Sequence, residues 1–270
     1  MSGTEREDLL TTLRESLSRR QDQIDWRAIV GQLASPAKLD EIALVGLDTN
    51  ALKRLRRDQR AAGEVLAYFE SEQIPLVVPG QAAQEFWNNH ETIASDLGSV
   101  ITEIGKLQKR VERINSSPHI NSRIDAISSE ISAISEDLQD LSNPHILSES
   151  VALWDSLTEL ASFPFVPRDR FTTIGRDRFE TKTPPGFEDK DKSANQLGDF
   201  FVWADFLLGA ATQLAGSDRV GPVVLVSDDR KPDWVTSERP HPILIAEMRQ
   251  VTGRAFELMT TNQLIQKVRG

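Results

Sequence analysis

Leu9, Leu10, Leu13 and Leu17 fall on one face at helical spacing, and Trp26, Ile29, Val30 and Leu33 resume that pattern after a break. Residues 1–40 therefore read as a helical arm that packs onto a body. Ile42-Ala43-Leu44-Val45-Gly46-Leu47 is a different kind of run, short and uninterrupted, closed by Asp48-Thr49-Asn50. Runs of this length between polar residues are buried strands, most often in a parallel sheet. Ile74-Pro75-Leu76-Val77-Val78 and Pro222-Val223-Val224-Leu225-Val226 have the same character, and a short strand is predicted near Phe256–Met259. Helical spacing returns between them. Leu52, Leu55, Val65, Leu66 and Phe69 carry it first, and Pro79-Gly80 then turns the chain into a helix bearing Glu85, Phe86 and Trp87. Further helices are predicted from Val151 to Leu160, from Asp199 to Leu214 and around Ile243–Thr252. Residues 161–198, where Pro164, Pro167, Pro184, Pro185 and Gly186 mix with charges, read as a long irregular loop. Alternation of strand and helix predicts an α/β fold with a mainly parallel sheet flanked by helices.

The strongest periodicity lies inside that alternation. Ile93, Leu97, Val100, Ile104, Leu107, Val111 and Ile114 alternate spacings of four and three. After Ser116-Ser117-Pro118 the pattern restarts at Ile120, Ile124, Ile127, Ile131, Ile134, Leu138 and Leu141. Ser117 suits an N-cap and Pro118 a first helical position. Two heptad-like helices joined by a tight turn predict an inserted antiparallel, coiled-coil hairpin over residues 91–150. The body then comprises residues 41–90 and 151–270. A seam this narrow fits one helix partner, so the hairpin is a candidate surface for self-association or for a protein partner.

Composition narrows the chemistry. The chain has no Cys, which removes disulfides, thiolate metal sites and cysteine nucleophiles. Its net charge of −10 opposes a polyanion globally, so binding nucleic acid requires a local basic face. Lys53, Arg56, Arg57 and Arg60, at helical spacing just after Asp48, are the best candidate for one, although such a run also serves as a solvated face. No run approaches the roughly 20 apolar residues that span a bilayer, and the first residues lack a signal-peptide core. A cytoplasmic protein without a membrane segment is expected.

Four carboxylates stand out by position. Asp48 follows the first strand, Glu85 lies inside the helix after the second, Asp199 opens a helix and Asp229 follows the third strand. In a parallel sheet, strand ends and helix starts share one edge, where ligands bind. Acids converging there need a cation, and oxygen ligands suit Mg²⁺ or Mn²⁺. Such a site serves phosphodiester cleavage by metal-held water. The alternative is that the chain's 41 acidic residues scatter by chance and several simply cap helices. Trp87 and Trp203 read as core residues. His90, His119, His145 and His241 do not cluster, and there is no glycine-rich phosphate loop.

The segments Val45-Gly46-Leu47-Asp48-Thr49-Asn50, Pro79-Gly80-Gln81-Ala82-Ala83-Gln84-Glu85-Phe86-Trp87 and Pro184-Pro185-Gly186-Phe187-Glu188-Asp189-Lys190 add a pattern. With Gly198-Asp199-Phe200-Phe201-Val202-Trp203 and Val224-Leu225-Val226-Ser227-Asp228-Asp229-Arg230-Lys231-Pro232-Asp233-Trp234, they resemble, in order, the larger bacterial branch of the PIN-like nuclease superfamily. The resemblance implies that Asp48, Glu85, Asp199 and Asp229 are the catalytic, metal-binding acids. Asp228 competes with Asp229 for the last place, and Ser227, two positions before Asp229, favours the latter. Thr49, Asn50, Ser227 and Asp228 are then expected to support the acids from behind. Lys190 and Lys192, in the loop before Asp199, are expected by the same resemblance to face the substrate, with a solvated loop as the alternative. The resemblance further implies single-stranded RNA ahead of DNA as the substrate, and a toxin–antitoxin or anti-phage defence setting. Fold analogy does not fix substrate. The competing expectation is a non-catalytic interaction module that uses the hairpin and carries a degenerate acidic site.

Replacing residues 91–150 with a short linker should leave a folded body whose oligomeric state or partner binding is altered, as size-exclusion chromatography with light scattering would show. Collapse of the body into insoluble material would contradict the insertion.

Overall fold

A computed structural model describes residues 2–18, 24–35, 37, 41–88, 145–188 and 195–270, with short pieces at 103–106, 110 and 129. The predicted hairpin lies almost wholly outside the described residues, as do Lys190 and Lys192. The chain divides into two compact units: Met1–Phe86 with Leu153–Gly270, and Trp87–Ala152. In the second unit, residues 103–106 are helical and Lys106 Nζ donates to Glu103 Oε1 at 2.6 Å.

The first unit is built on five parallel strands: β1 (Leu44–Leu47), β2 (Leu76–Val77), β3 (Ala161–Ser162), β4 (Val223–Val226) and, at the far edge, β7 (Phe256–Met259). Their spatial order is β3-β2-β1-β4-β7, and every pairing is parallel, as the alternation predicts. Val and Leu, with Gly46, fill both faces of the central strands because both faces are covered, and each residue of β1 and β4 is buried. From β1 the chain builds outward through β2 to β3, then returns to lay β4 on the other side of β1. The order thus reverses between β1 and β4, and a crevice opens beyond their carboxyl ends. A separate two-stranded hairpin pairs β5 (Val235–Thr236) with β6 (Arg239–Pro240).

The helices follow from what they cover. The first four are α1 (Gly3–Leu17), α2 (Trp26–Ala34), α3 (Thr49–Arg57) and α4 (Gln59–Ser71). Next come α5 (residues 80–88), α6 (His145–Leu160), α7 (Arg168–Glu180) and α8 (Gly198–Leu214). The last two are α9 (Pro242–Thr252) and α10 (Thr261–Arg269). Almost every side of α8 is apolar, so it is buried nearly throughout. It packs over β1 and β2, while α1 and α9 close over it. Helices α1 and α2, the described helices of the expected arm, therefore form a second layer of the same body. Helix α2 and the residue Ala37 beyond it also guard the sheet edge: Gln32 Nε2 donates to the Phe256 carbonyl at 2.7 Å, and Glu257 Oε1 accepts from Ala37 N at 2.9 Å. No helix among the described residues is long and apolar enough to cross a membrane.

Three expectations change. Residues 161–198 are not a continuous loop, since they hold β3 and the whole of α7. The buried face of α7 consists of Phe171, Gly175 and Arg178, at helical spacing but with one apolar side chain among three, so no hydrophobic stripe betrays it. The glycine admits Phe200, whose ring would lie 2.6 Å from an added Cβ. Arg178 is buried because Glu247 is buried with it: Nη1 donates to Oε1 at 2.6 Å and Nη2 to Oε2 at 3.2 Å. Further bonds run from Arg178 to the Leu17 and Pro184 carbonyls, and from Trp203 Nε1 to Glu247. One buried pair thus joins α1, α7, α8, α9 and the Pro-Pro-Gly turn. The second change is a break at Asp58, which ends α3 and caps α4 by accepting from Ala61 N. The third is α10, a helix after β7 that the pattern did not predict.

Gly46 lies in the middle of β1 because α8 comes too close for any side chain: a Cβ there would stand 2.3 Å from the Phe206 ring. Phe206 is itself fully enclosed and cannot step aside. Gly46→Ala should lower stability by about 1–3 kcal/mol, the usual cost of overpacking. Urea unfolding would show this as a lower midpoint, and an unchanged midpoint would contradict the close approach of α8.

Candidate active site

Asp48 leaves β1 and caps α3, its Oδ1 accepting from Thr49 N at 2.6 Å. That much is the plain helix-cap role. The other oxygen does something else: Oδ2 accepts from Ser227 Oγ at 2.8 Å, across the gap between β1 and β4. Ser227 Oγ in turn accepts from Asp229 N at 3.1 Å. One hydroxyl therefore registers the two strand ends that flank the reversal in strand order.

Glu85 reaches the same edge from α5. Its Oε2 accepts from Thr49 Oγ1 at 3.0 Å, and its Oε1 from Gln81 Nε2 at 2.9 Å and Asn195 Nδ2 at 2.7 Å. Gly198, at the start of α8, makes room: a Cβ there would lie 2.6 Å from Glu85 Oε1. Behind Gln81 stands a buried carboxylate, Asp205, which accepts from Gln81 N and Val166 N at 2.8 Å each. Arg168 grips Asp205 with a two-pronged contact at 2.9 Å on each side, reaches Gln81 Oε1 at 3.2 Å and stacks on Phe165 and Phe201. Burial pushes the Asp205 carboxyl above its ordinary range, and Arg168 with the backbone donors pulls against it. The chain of contacts fixes Gln81, and through it Glu85.

Asp199 projects from the first turn of α8, its Oδ2 accepting from Trp234 Nε1 at 3.2 Å and from Lys231 Nζ at 2.9 Å. The same ammonium stands 3.1 Å from Asp229 Oδ2, while Asp229 Oδ1 accepts from Lys231 N at 2.9 Å. The Pro-Pro-Gly turn lies over this corner. Gly186 has φ +102°, which favours glycine, and an added Cβ would meet Asp199 Cβ at 3.5 Å. Its N–H donates to buried Asp233 at 2.7 Å.

Asp48, Glu85, Asp199 and Asp229 are thus linked through Thr49, Ser227 and Lys231 on one sheet edge. The electrostatics register their proximity. Asp48 keeps some contact with solvent but is ringed by protein, and its carboxyl is pushed up to about 7. Burial is the largest cause and the charges of Asp199 and Glu85 add to it, against the bonds from Ser227 and Thr49.

Not every expected site residue joins them. Asp228 turns to α10, accepting from Thr261 N at 3.0 Å and Thr261 Oγ1 at 2.9 Å. Its place as support behind the acids is corrected to a tie between the β4 end and α10. Asn50 is exposed on α3. The single basic face is corrected as well. Arg60 lies in the next helix and pairs with Glu64 at 2.9 Å, and Arg56 is only 2% exposed. That leaves Lys53, half-buried, and Arg57, exposed, as the cations of α3 nearest the expectation. Conversely, Gln81, Arg168, Asn195, Asp205, Lys231 and Trp234 hold the acids without having been singled out. Asp205 had a signal, a lone carboxylate inside an otherwise apolar helix.

A family model for the PIN-like domain matches residues 44–247. The chain belongs to the PIN-like domain family. PIN-like domains form a nuclease superfamily, and its nucleases typically use divalent metal ions. No curated protein and no solved structure matches the chain. The matched span opens on β1 and closes in α9, so it takes in all four acids. The PIN-like domain here is completed by parts outside the span: β7 and α10 extend the sheet and its cover, and α1 packs over α8.

The donor chemistry of the four acids fits a hard divalent cation, since all offer carboxylate oxygen and Asp48 is raised by burial first and then by the charges of Asp199 and Glu85. Their side chains do not close round one: among the described residues, no three His, Asp or Glu are grouped so that they could hold a metal ion.

Ionising Asp48 is opposed in the folded protein, so between about pH 4 and 7 the native state keeps a proton that the unfolded chain has released. Stability of the metal-free protein therefore falls as pH rises through that window. Asp48→Asn removes this loss while keeping the Thr49 contact. The variant should match wild type near pH 4 and exceed it by about 1–3 kcal/mol above pH 7. Denaturant unfolding across the range checks this, and a gap that does not change with pH would contradict the raised carboxyl.

Proposed function

We propose that this PIN-like domain is a metal-dependent nuclease in which Asp48, Glu85, Asp199 and Asp229 hold Mg²⁺ or Mn²⁺. What carries the reading is the gathering of four acids, from two strand ends, the first turn of α8 and the second turn of α5, at the reversal in strand order. A divalent ion held there would activate a bound water and neutralise charge on the scissile phosphate. The chain's own residues do the positioning. Ser227 and Thr49 aim Asp48, while Gln81, Asn195 and Thr49 aim Glu85. Trp234 aims Asp199. Lys53 and Arg57, beside Asp48 on α3, are the side chains offered to the phosphates of an incoming strand.

Single-stranded RNA is the proposed substrate, by likeness to the superfamily branch. A cytoplasmic role in toxin–antitoxin or anti-phage defence is the proposed setting, because a nuclease of broad specificity harms its own host unless restrained. The test is incubation of labelled single-stranded RNA and DNA with Mg²⁺, Mn²⁺ or EDTA. RNA should be cut in either metal and spared in EDTA. Asp48→Asn should lose about 100-fold or more, since even an outer partner of a metal ligand is worth up to about that much. Cleavage that persists in EDTA, or in a folded Asp48→Asn variant, would overturn the reading.

A further inference from the structure

Lys231 stands where two of the acids would otherwise face each other. Its Nζ is 2.9 Å from Asp199 Oδ2 and 3.1 Å from Asp229 Oδ2. An ammonium in that position does electrostatically what a bound cation would do, joining a helix start to a strand end across the crevice. Resting on the metal-site reading above, we infer that Lys231 is an internal counter-ion that competes with the divalent metal, and so sets the affinity of the site for Mg²⁺ or Mn²⁺.

Three features make the ammonium displaceable and leave the acids in place when it goes. The backbone of Lys231 is fixed: its carbonyl accepts from Trp234 N and Val235 N at 3.0 Å each, and its N–H donates to Asp229 Oδ1. Only the side chain has to move, and at 31% exposed it has an open route to solvent. Asp199 keeps the Trp234 Nε1 bond, and Asp229 keeps Ser227 Oγ on its backbone and Lys231 N on its carboxylate. The arrangement also accounts for the lack of any three-acid group able to hold an ion among the described residues. The ammonium holds the Asp199 and Asp229 carboxylates on either side of itself.

A metal that recruits Asp199 and Asp229 must break both contacts with Lys231. Partly exposed ion pairs are individually weak, so replacing the ammonium with an uncharged chain should tighten metal binding roughly tenfold. The experiment is calorimetric titration of the full-length protein with Mn²⁺ alone, comparing wild type with Lys231→Met, Lys231→Gln and Lys231→Arg, and with Glu85→Gln as a control. Thermal unfolding in EDTA accompanies each.

The proposal expects Met and Gln at 231 to bind Mn²⁺ more tightly while melting lower in EDTA, because the acids lose their counter-ion. Arg, which keeps the charge, should bind no more tightly than wild type. The opposite signs in the two measurements separate a competing cation from a merely structural lysine, whose loss would lower the melting temperature without raising affinity. Equal or weaker Mn²⁺ binding by both Lys231→Met and Lys231→Gln would overturn the inference. If wild type binds Mn²⁺ and Glu85→Gln weakens it, the metal-site reading survives that result. Absence of binding by every variant would remove both. Should Lys231→Met not fold, Lys231→Gln, which retains a polar end between the carboxylates, gives the same comparison.

Discussion

Carboxylates brought together out of bulk water repel, and the described body is arranged to hold them there regardless. Asp48 shows the cost most directly, its carboxyl pushed up to about 7 by burial and by Asp199 and Glu85. The hydrogen bonds from Thr49, Ser227, Gln81 and Asn195 aim Asp48 and Glu85 without cancelling their charge. Among the described residues, Lys231 brings positive charge to Asp199 and Asp229. A frame that tolerates this must be rigid. The parallel sheet supplies rigidity at β1 and β4, and two further charge pairs supply it behind. Arg168 with Asp205 anchors Gln81, and Arg178 with Glu247 anchors the turn over Asp199. Breaking a buried pair by removing one partner typically costs about 3–5 kcal/mol, so these supports are not incidental.

Those two pairs also mark the limit of what the sequence discloses. Strands β1 and β4 were legible because both of their faces are buried, leaving runs of Leu and Val with no charged interruption, whereas β3, β5 and β6, two residues each, carry no such run. That Asp48, Glu85, Asp199 and Asp229 come to one edge of the sheet was legible because strand ends and helix starts share that edge in a parallel sheet. Helix α7 was not, because Gly175 and Arg178 occupy two of its three buried positions. Each becomes meaningful only with a partner distant in sequence, Phe200 for one and Glu247 for the other. Lys231 falls in the same class: a lysine beside two aspartates reads as surface charge until Asp199 is brought against it. The basic face erred the other way. Helical spacing held from Lys53 to Arg57, but Asp58 caps a new helix and sends Arg60 to Glu64.

The PIN-like match and the architecture divide the chain differently. The match ends in α9, yet β7 pairs with β4 along its whole length and Ser227 N donates to the Met259 carbonyl at 2.9 Å. Asp228 ties the same strand end to α10. The segment after the matched span therefore holds the turn that carries Asp229, so the acid site depends on parts of the chain beyond the matched domain.

The central claim is that these four acids share a divalent cation. Anomalous scattering from a crystal of the protein grown with Mn²⁺ tests it directly. The account predicts a manganese peak bounded by the carboxylates of Asp48, Glu85, Asp199 and Asp229, with the Lys231 ammonium displaced from Asp199 and Asp229. Manganese bound only elsewhere on the protein, with Lys231 still between the two aspartates, would contradict it.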